Sequence, residues 1–287
     1  MSISYFAECT VLITGASAGI GREFARQLAP VVSAMILVAR RNDRLEALEQ
    51  ELKVINPDLE VYCRQLDLTK QTDLERFCDW LNESGISVDL LVNNAGLGDR
   101  GTFSESRWDR VLTMLQVNIQ ALTYLIYRIL PSMHKSGCGA ILNVSSCAGL
   151  VPVPNLAVYA ATKAYVTSFS EALRAELRNS NISVTSLCPG PVPTEFGEVA
   201  TREGGQYDSP MPEFFTVPAQ EVVQQALRGV AADRARVIPG RALDLVMSAV
   251  AFLPMFVKRL AMNAQANRIK VSPKAMSTVD CEISDMV

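Results

Sequence analysis

Histidine is nearly absent from this sequence. Its 287 residues include a single one, His134, which follows Pro131 in a polar stretch that we expect to form a surface connection. One histidine excludes a His-rich metal site, so no metal is expected, and a Ser-His-Asp triad would have to use this residue. Acid–base chemistry in this chain is therefore expected to use Tyr, Lys, Asp, Glu or Cys.

A charge excess, paired cysteines and a leader pattern are also missing. Lys and Arg number 27 against 30 Asp and Glu, and the net charge of −3 indicates no nucleic-acid partner. The seven cysteines form no Cys-x-x-Cys pair, which is typical of thiols kept reduced, so a cytoplasmic protein is expected. The opening residues MSISYFAECTVLITG show no basic region ahead of an apolar one, and no signal peptide is expected.

Short apolar runs alternate with helical patterns along most of the chain. Strands are predicted near 10–14, 35–39, 60–65, 88–92, 140–144, 182–188 and 236–238. Helices are predicted near 20–29, 42–54, 71–84, 106–130, 157–179 and 218–231. Continuous apolar strands, each followed by a helix, indicate a parallel sheet covered on both faces. The predicted fold class is α/β, a Rossmann-type doubly wound parallel sheet of about seven strands with helices on both faces.

Two segments depart from this alternation. Residues 189–217 are rich in proline and glycine and too irregular for a regular element, which favours a lid over an active site. The lid's large apolar side chains favour an apolar carbonyl or alcohol substrate, although packing of the lid onto the sheet explains them equally well: Phe196, Tyr207, Met211, Phe214 and Phe215. We therefore divide the chain into a catalytic Rossmann domain at 1–240 and a C-terminal extension at 241–287.

A glycine pattern, Gly15, Gly19 and Gly21 in VLITGASAGIGREFA, lies between the first strand and the first helix. Glycines let the backbone turn tightly and approach a pyrophosphate, and a helix N-terminus offers free N–H groups to it. A tight strand–helix turn would use similar residues, but the position in the first βαβ unit favours a dinucleotide loop.

The end of the second strand reads VARRND, with Arg40 where an NAD enzyme would hold an acid for the ribose 2′-hydroxyl. A guanidinium at this place can pair with a 2′-phosphate in a bidentate manner, whereas an acid would repel it. NADP(H) is therefore predicted in preference to NAD(H).

Seven motifs in a fixed order resemble the short-chain dehydrogenases/reductases, in their single-domain branch. They cover about residues 9–240 and are TGASAGIG at 14–21, DLT at 67–69, NNAG at 93–96, VN at 117–118, NVSS at 143–146, YAATK at 159–163 and PGPV at 189–192. Each motif alone is weak, but their joint occurrence in this order is specific. The resemblance implies a Rossmann fold and hydride transfer with a nicotinamide cofactor.

The resemblance also implies the roles of individual residues. Tyr159 and Lys163 match the family's Tyr-x3-Lys pair, Ser146 its catalytic serine rather than Ser145, and Asn118 the asparagine that holds a proton-relay water. Asp67 matches a residue that meets the adenine, Asn94 one that steadies the central strand, and Thr194 one that meets the nicotinamide carboxamide. The implied cofactor-binding set is Gly15, Ser17, Gly19, Ile20, Gly21, Arg40, Arg41, Asp67, Leu68, Asn94, Ala95, Gly96, Tyr159, Lys163, Pro189, Gly190, Val192 and Thr194.

The spacing of Tyr159 and Lys163 indicates acid–base chemistry independently of the resemblance. A helix places residues four apart on one face, so both side chains can reach one reacting atom. Free tyrosine has a pKa of about 10, and a nearby cation favours the phenolate. We expect Lys163 to lower the pKa of Tyr159, Tyr159 to exchange a proton with the substrate oxygen, and Ser146 to stabilise the charge on that oxygen.

Other readings of the same residues remain open. An NADP(H)-binding sensor without turnover would be expected to have lost Tyr159, Lys163 or Ser146. An epimerase or dehydratase of the family's extended branch would share Tyr-x3-Lys but have a longer C-terminal domain and another glycine spacing. The resemblance implies a homodimer or homotetramer. The uncharged run 245–257 lies within a basic region, so peripheral membrane contact through 241–270 is an alternative to packing on the domain or on a second subunit.

Overall fold

The computed structural model describes residues 3–202 and 213–268. Within them, one sheet is formed by β1 (Thr10–Thr14), β2 (Ala34–Ala39), β3 (Glu60–Gln65), β4 (Leu90–Asn93), β5 (Gly139–Val144), β6 (Ile182–Leu187) and β7 (Arg236–Val237). The strand order is β3-β2-β1-β4-β5-β6-β7, and every neighbouring pair is parallel. The order reverses between β1 and β4, which confirms the predicted doubly wound α/β sheet.

The described residues up to Phe252, which belong to the first of two compact units, contain nine α-helices. They are α1 (Gly19–Leu28), α2 (Asn42–Ile55), α3 (Gln71–Glu83), α4 (Trp108–Leu115), α5 (Leu122–Ser136), α6 (Ala157–Glu176), α7 (Glu195–Ala200), α8 (Ala219–Ala231) and α9 (Arg241–Phe252). The predicted strands and helices end close to the observed boundaries, except for the helix predicted at 106–130.

The sheet separates two apolar layers. Val11 and Ile13 of β1 face one layer and Leu12 faces the other, as alternation along a strand requires. The first layer is filled mainly from α1, α2 and α8, with Phe24, Leu45 and Val222 among its side chains. The second is filled mainly from α3, α5 and α6, with Leu74, Ile129 and Val166. Each such buried side chain stabilises the fold by about 1.5–3 kcal/mol, which fixes the helices over both faces and leaves the strand ends for a site.

The helix predicted at 106–130 is interrupted. Between α4 and α5 the backbone forms a π-helical segment, Gln116–Ala121, whose wider turn contains Asn118. The Asn118 side chain binds both the backbone N–H and the C=O of Leu97, at 2.8 and 2.9 Å. Such turns are common at functional sites, and the apolar periodicity on either side gives no indication of this one.

His134 was predicted to lie in a surface connection, and this prediction is wrong because the residue is helical. Pro131 lies inside α5, and His134 is an exposed residue of its last turn. The helix continues because Ile129 and Met133 are buried against the sheet, at 2% and 0% exposure. Gly137 ends it in the left-handed region, with φ 76°, and its N–H binds the C=O of Met133 at 3.0 Å. Packing thus outweighs the hydrogen bond lost at proline.

The segment predicted as an irregular lid contains regular structure. Helix α7 begins after Thr194, whose Oγ1 accepts a hydrogen bond from the N–H of Phe196 at 3.4 Å. Where the description resumes, a 3₁₀ turn lies at Glu213–Phe215. Tyr207 and Met211, which were predicted to be apolar residues of the lid, lie outside the described residues.

The described part of the C-terminal extension contains two helices. The first compact unit ends at Phe252 and therefore includes α9, whereas α10 (Met255–Arg268) belongs to a second unit. Helix α9 buries Leu243 and Met247 but leaves Leu245 73% and Phe252 89% exposed. Among residues 3–202 and 213–268, no helix has the length and apolar character needed to cross a membrane.

Candidate active site

A cavity of about 410 Å³ opens at the carboxyl ends of the parallel strands, where doubly wound sheets bind ligands. The predicted residues that line it are Gly15, Ser17, Gly19, Ile20, Arg40, Arg41, Asp67, Leu68, Asn94, Ala95, Gly96, Ser146, Tyr159, Lys163, Pro189, Gly190, Val192 and Thr194. Gly21 and Asn118 do not line it, but each contacts a residue that does: Gly21 packs on Gly15, and Asn118 binds the backbone of Leu97.

The glycine loop between β1 and α1 has the backbone that a pyrophosphate requires. Gly15 and Gly19 adopt φ +67° and +53°, a region that side-chain-bearing residues rarely enter. A Cβ on Gly21 would lie 2.4 Å from the carbonyl oxygen of Gly15, so only glycine lets α1 begin this close to the loop. The first N–H groups of α1 therefore face the cavity with the partial positive charge of the helix terminus.

Two polar side chains connect this loop to the end of β4. Thr14 Oγ1 accepts hydrogen bonds from the backbone N–H groups of Asn94 and Ala95, each at 3.0 Å. The Asn94 amide donates in return to the carbonyl oxygen of Thr14, at 2.9 Å, and to that of Gly15, at 3.3 Å. These bonds fix the two loops that flank the point where the strand order reverses.

Tyr159 and Lys163 lie one turn apart on α6, with side chains directed at the end of β5. Tyr159 is 9% exposed and Lys163 4%. The Lys163 ammonium donates a hydrogen bond to the carbonyl oxygen of Val144 at 2.8 Å and lies 5.8 Å from the centroid of the Tyr159 ring. The predicted pair therefore shares one corner of the cavity.

The two serines after β5 have different surroundings. Ser145 Oγ donates to the carbonyl oxygen of Lys163, at 2.8 Å, and contacts the Thr167 hydroxyl, at 2.7 Å, so it holds α6 against the strand. Ser146 hydrogen-bonds the Tyr159 side chain and accepts from the N–H of Ala148 at 3.1 Å. The geometry favours Ser146, the serine chosen from the sequence.

The ionisation of the pair differs from the expectation. Burial raises the pKa of Tyr159 well above its usual value of 10.0, and the hydrogen bond from Ser146 opposes this only in part. Burial also lowers the pKa of Lys163 to about 8. The pKa of Tyr159 is therefore raised in the structure rather than lowered as expected, because desolvation by burial is the largest effect on it. Tyr159 is a phenol at neutral pH and hence a proton donor.

Asn118, predicted to hold a water, uses its side chain for structure. Besides the two bonds to Leu97, its amide donates to Thr162 Oγ1 at 2.9 Å, and that hydroxyl donates to the carbonyl oxygen of Tyr159 at 2.7 Å. At 1% exposure the side chain is enclosed. It joins the π-helical segment to the helix that carries Tyr159.

The far end of the cavity is basic. Arg40 and Arg41 follow β2 and line the wall together with Ser17 of the glycine loop. One Arg41 nitrogen donates to Ser17 Oγ at 3.3 Å and another to Glu195 at 3.1 Å. Glu195 was not predicted from the sequence, since it is separated by more than 150 positions from its arginine partner.

The wall on the substrate side comes from α7 and the loop after β4. The Phe196 ring lies 5.6 Å, centroid to centroid, from the ring of Tyr159. A Cβ on Gly98 would lie 3.0 Å from Phe196 Cζ and 2.9 Å from Ala200 Cβ, so α7 packs directly on this glycine. The sequence indicated Phe196 as a lid residue but not its contact with the predicted acid.

A buried carboxylate, Asp99, fixes the same wall and was also missed. Its side chain is 3% exposed, and Arg202 donates to both of its oxygens, at 3.0 and 2.7 Å. Arg110 lies 3.3 Å from the same carboxylate, and these arginines hold the pKa of Asp99 below its usual value. Removing one partner of such a buried pair costs about 3–5 kcal/mol.

The chemistry of these donors fits a dinucleotide. Backbone N–H groups and a helix terminus face the place for a pyrophosphate, Arg40 and Arg41 face the place for a phosphorylated ribose, and Lys163 lies beside Tyr159. The cradle is tight: a Cβ on Gly96 would lie 3.2 Å from Lys163 Nζ. Fold and site together define a nucleotide-binding oxidoreductase.

Comparisons with known proteins place the chain within that class. A family model described as short chain dehydrogenase matches residues 9–204. Sulfoacetaldehyde reductase 2 from Chromohalobacter salexigens is 37% identical over 196 residues, which are 67% of this chain and 75% of that protein. NADP-dependent 3-hydroxy acid dehydrogenase YdfG from Salmonella typhi is 34% identical over 226 residues, 77% and 88% of the two chains.

A solved structure gives the same result. The short-chain dehydrogenase from Sphingobium yanoikuyae in complex with NADPH superimposes with a TM-score of 0.74 at 30% identity, covering 94% of this chain and 98% of that one. The chain belongs to the short-chain dehydrogenase/reductase family, which confirms the resemblance of its motifs. It is thus an oxidoreductase that acts on hydroxyl groups with a nicotinamide nucleotide.

Proposed function

We propose that this protein is an NADP(H)-dependent oxidoreductase that interconverts a carbonyl and a secondary alcohol, with Tyr159 as acid and base. The observation that carries the proposal is the buried corner in which Ser146 hydrogen-bonds Tyr159 while the Lys163 ammonium lies one helical turn away. NADP(H), when bound, supplies or accepts the hydride at the substrate carbon.

The proton is handled by the chain's own residues. In the reductive direction the Tyr159 phenol donates a proton to the carbonyl oxygen, and Ser146 donates a hydrogen bond to the same oxygen as its negative charge develops. Lys163 stabilises the phenolate that Tyr159 becomes, because its ammonium lies 5.8 Å from that ring. The raised pKa of Tyr159 keeps its phenol protonated at neutral pH, which is the form that reduction needs, so the site suits reduction.

NADP(H) is proposed over NAD(H) because of the basic end of the cavity. Arg40 and Arg41 both line the cavity there, and Arg41 donates a hydrogen bond to Ser17. Guanidinium groups match phosphate oxygens in a bidentate manner, and no carboxylate side chain follows β2 at the place of Arg40. Two of the relatives bear NADP or NADPH in their names, which supports this choice.

The substrate side of the cavity favours an apolar carbonyl compound, since its wall includes Leu97, Leu156, Phe196 and Val199. A second candidate is a carbonyl compound with an acidic group. Arg100 lines the same cavity, and two relatives are named for sulfoacetaldehyde and for 3-hydroxy acids. The rate of NADPH oxidation, monitored by its absorbance, should be compared between apolar ketones and keto acids. The class that is reduced faster identifies the substrate and so separates the two candidates.

A sensor of NADP(H) without turnover is the alternative function. It would need the dinucleotide loop but not a serine directed at the tyrosine or a lysine enclosed beside it. Because Ser146, Tyr159 and Lys163 are all present and share one corner, we favour the enzyme.

We propose that the protein acts in the cytoplasm as a homodimer or homotetramer. None of the cysteines in the described part of the chain forms a disulfide, as a reducing compartment allows. Large apolar side chains are exposed on α4 and α5, with Trp108 at 67% and Tyr127 at 71%, and α6 adds Tyr165 at 36%. Exposed aromatic residues of this kind are typical of subunit contacts.

The outer face of α9 is a second surface that we propose to be covered. Leu245 and Phe252 are exposed, although the opposite face of the helix already packs on the domain. A second subunit is the favoured occupant. An anionic membrane surface is the alternative, because Arg241 precedes the apolar residues and Lys258 and Arg259 follow them.

The first prediction concerns the acid. Tyr159→Phe should lower kcat by about 10²–10⁴-fold or more, because only the transferable proton is lost, while the Kd for NADPH changes little. Steady-state kinetics and fluorescence titration measure the two quantities. Tyr165→Phe on the same helix is the matched control and should retain activity. A Tyr159→Phe enzyme within tenfold of the unsubstituted kcat would contradict the assignment.

The second prediction concerns the cofactor. Arg40→Asp should lower kcat/KM for NADPH by at least about tenfold and leave that for NADH nearly unchanged, because attraction to the 2′-phosphate becomes repulsion. Arg76→Asp, an exposed charge reversal on α3, controls for the change in net charge. Equal kcat/KM values for NADPH and NADH in the unsubstituted protein would refute the preference.

The third prediction separates the two occupants of the α9 surface. We expect the protein to sediment as a dimer or tetramer, Phe252→Asp to reduce its assembly, and the unsubstituted protein to stay in the soluble fraction in flotation with phosphatidylserine-containing vesicles at low salt. Flotation with these vesicles that is lost in Phe252→Asp would instead assign the surface to the membrane.

A further inference from the structure

Helix α7 is attached at both ends by ion pairs. At its first residue, Glu195 accepts hydrogen bonds from Arg41 at 3.1 Å and from Arg44 at 2.6 Å. Two residues beyond its end, Arg202 donates to both oxygens of Asp99, at 3.0 and 2.7 Å. The helix therefore connects the proposed 2′-phosphate site to the wall of the substrate site.

The two attachments differ in strength. The Asp99 side chain is 3% exposed and Arg202 21%, whereas Glu195 is 47% exposed and Arg41 43%. Water and salt screen an exposed pair, but breaking a buried pair leaves an uncompensated charge inside the protein. The Glu195 end of α7 is thus the end that a competing charge can detach, while the Arg202 end stays in place.

A competing charge is expected at that end. Arg41 donates to Ser17 Oγ at 3.3 Å, and both residues line the cavity beside Arg40. Hydrogen bonds from Arg44 and Arg41 hold the pKa of Glu195 below its usual value, so it is a carboxylate at neutral pH. A phosphate carries more charge than a carboxylate and accepts the same bidentate donors. Glu195 occupies nitrogens that a 2′-phosphate would use.

We propose that Glu195 competes with the 2′-phosphate of NADP(H) for Arg41, so that NADP(H), but not NAD(H), loosens the attachment of the first turn of α7. The inference rests on the NADP(H) preference proposed above. It assigns to Glu195 a positioning role, because it acts through the arginines and through α7 rather than on the substrate.

Release of Glu195 would change the contacts of its two neighbours in the sequence, Thr194 and Phe196, and both contact the site. Thr194 packs on the glycine loop, since a Cβ on Gly19 would lie 3.3 Å from Thr194 Cβ. Phe196 lies against Tyr159, with ring centroids 5.6 Å apart. The contacts of α7 with both the glycine loop and the acid therefore depend on which anion the arginines bind.

The test is direct binding of nucleotides to Glu195→Gln, which keeps the side-chain shape and removes the charge. Measured by calorimetry, the Kd values of Glu195→Gln for NADPH and for 2′,5′-ADP should be about threefold to tenfold lower than those of the unsubstituted protein. Removing the internal competitor raises the fraction of the protein that is competent to bind. Kd values for NADH and 5′-ADP should change less than about twofold. Glu198→Gln is the matched control, an exposed glutamate one turn later on α7, and it should change none of them.

Hydrogen exchange of the unsubstituted protein gives a second readout. The amides of 195–200 should exchange faster with 2′,5′-ADP than with 5′-ADP. Weaker or unchanged binding of NADPH by Glu195→Gln, or equal exchange with the two nucleotides, would overturn the inference. If the unsubstituted protein binds NADPH and NADH equally while Glu195→Gln still gains affinity for 2′,5′-ADP, the cofactor preference fails and the competition stands. Binding of neither nucleotide overturns both.

Discussion

The buried ammonium of Lys163 is the charge around which this site is arranged. It is enclosed at the end of β5, where the carbonyl oxygen of Val144 accepts its hydrogen bond at 2.8 Å, and burial lowers its pKa to about 8. Room for the lysine depends on glycine. A Cβ on Gly96 would lie 3.2 Å from the ammonium, and one on Gly149 would lie 2.6 Å from the lysine backbone. Because α6 is held there, Tyr159, one turn earlier, faces the same corner.

Buried polar side chains keep the elements around that corner in register. Asn93 at the end of β4 donates to Asn143 of β5 at 3.0 Å, and Asn143 donates to Ser170 of α6 at 3.0 Å. Asn118 joins the π-helical segment to α6 in the same way. Such groups are costly to bury without partners, so shifted pairings of these elements are disfavoured. Precise placement of Tyr159 relative to the dinucleotide loop follows from this network.

Much of the fold was predictable because its signals are local. Strands such as β2 and β5 are buried on both faces and read as continuous apolar runs, and the glycine loop needs its glycines at fixed positions. The motifs also identified many of the residues that line the cavity. The extension of α5 through Pro131 was not predictable, since it depends on the burial of Met133 under the sheet.

The remaining misses arise from contacts between distant parts of the chain. Asp99 meets Arg202, and Glu195 meets Arg41, across separations that leave no periodic pattern in the sequence. The ionisation of Tyr159 was predicted in the wrong direction because desolvation depends on how completely the fold encloses the ring. Attachment of α7 and the charge states in the site are thus properties of the tertiary structure.

The pH dependence of kcat/KM for carbonyl reduction tests the central claim most directly, since it reports the ionisation of the free enzyme, and it should be measured from roughly pH 6 to 10. We expect a plateau at neutral pH, where Tyr159 holds its proton, and a decline above about pH 8, the pKa to which burial lowers Lys163, as the ammonium loses its charge. A rate that stays constant to the alkaline end, or that declines only toward acid pH, would contradict the pairing of Tyr159 with a buried, charged Lys163.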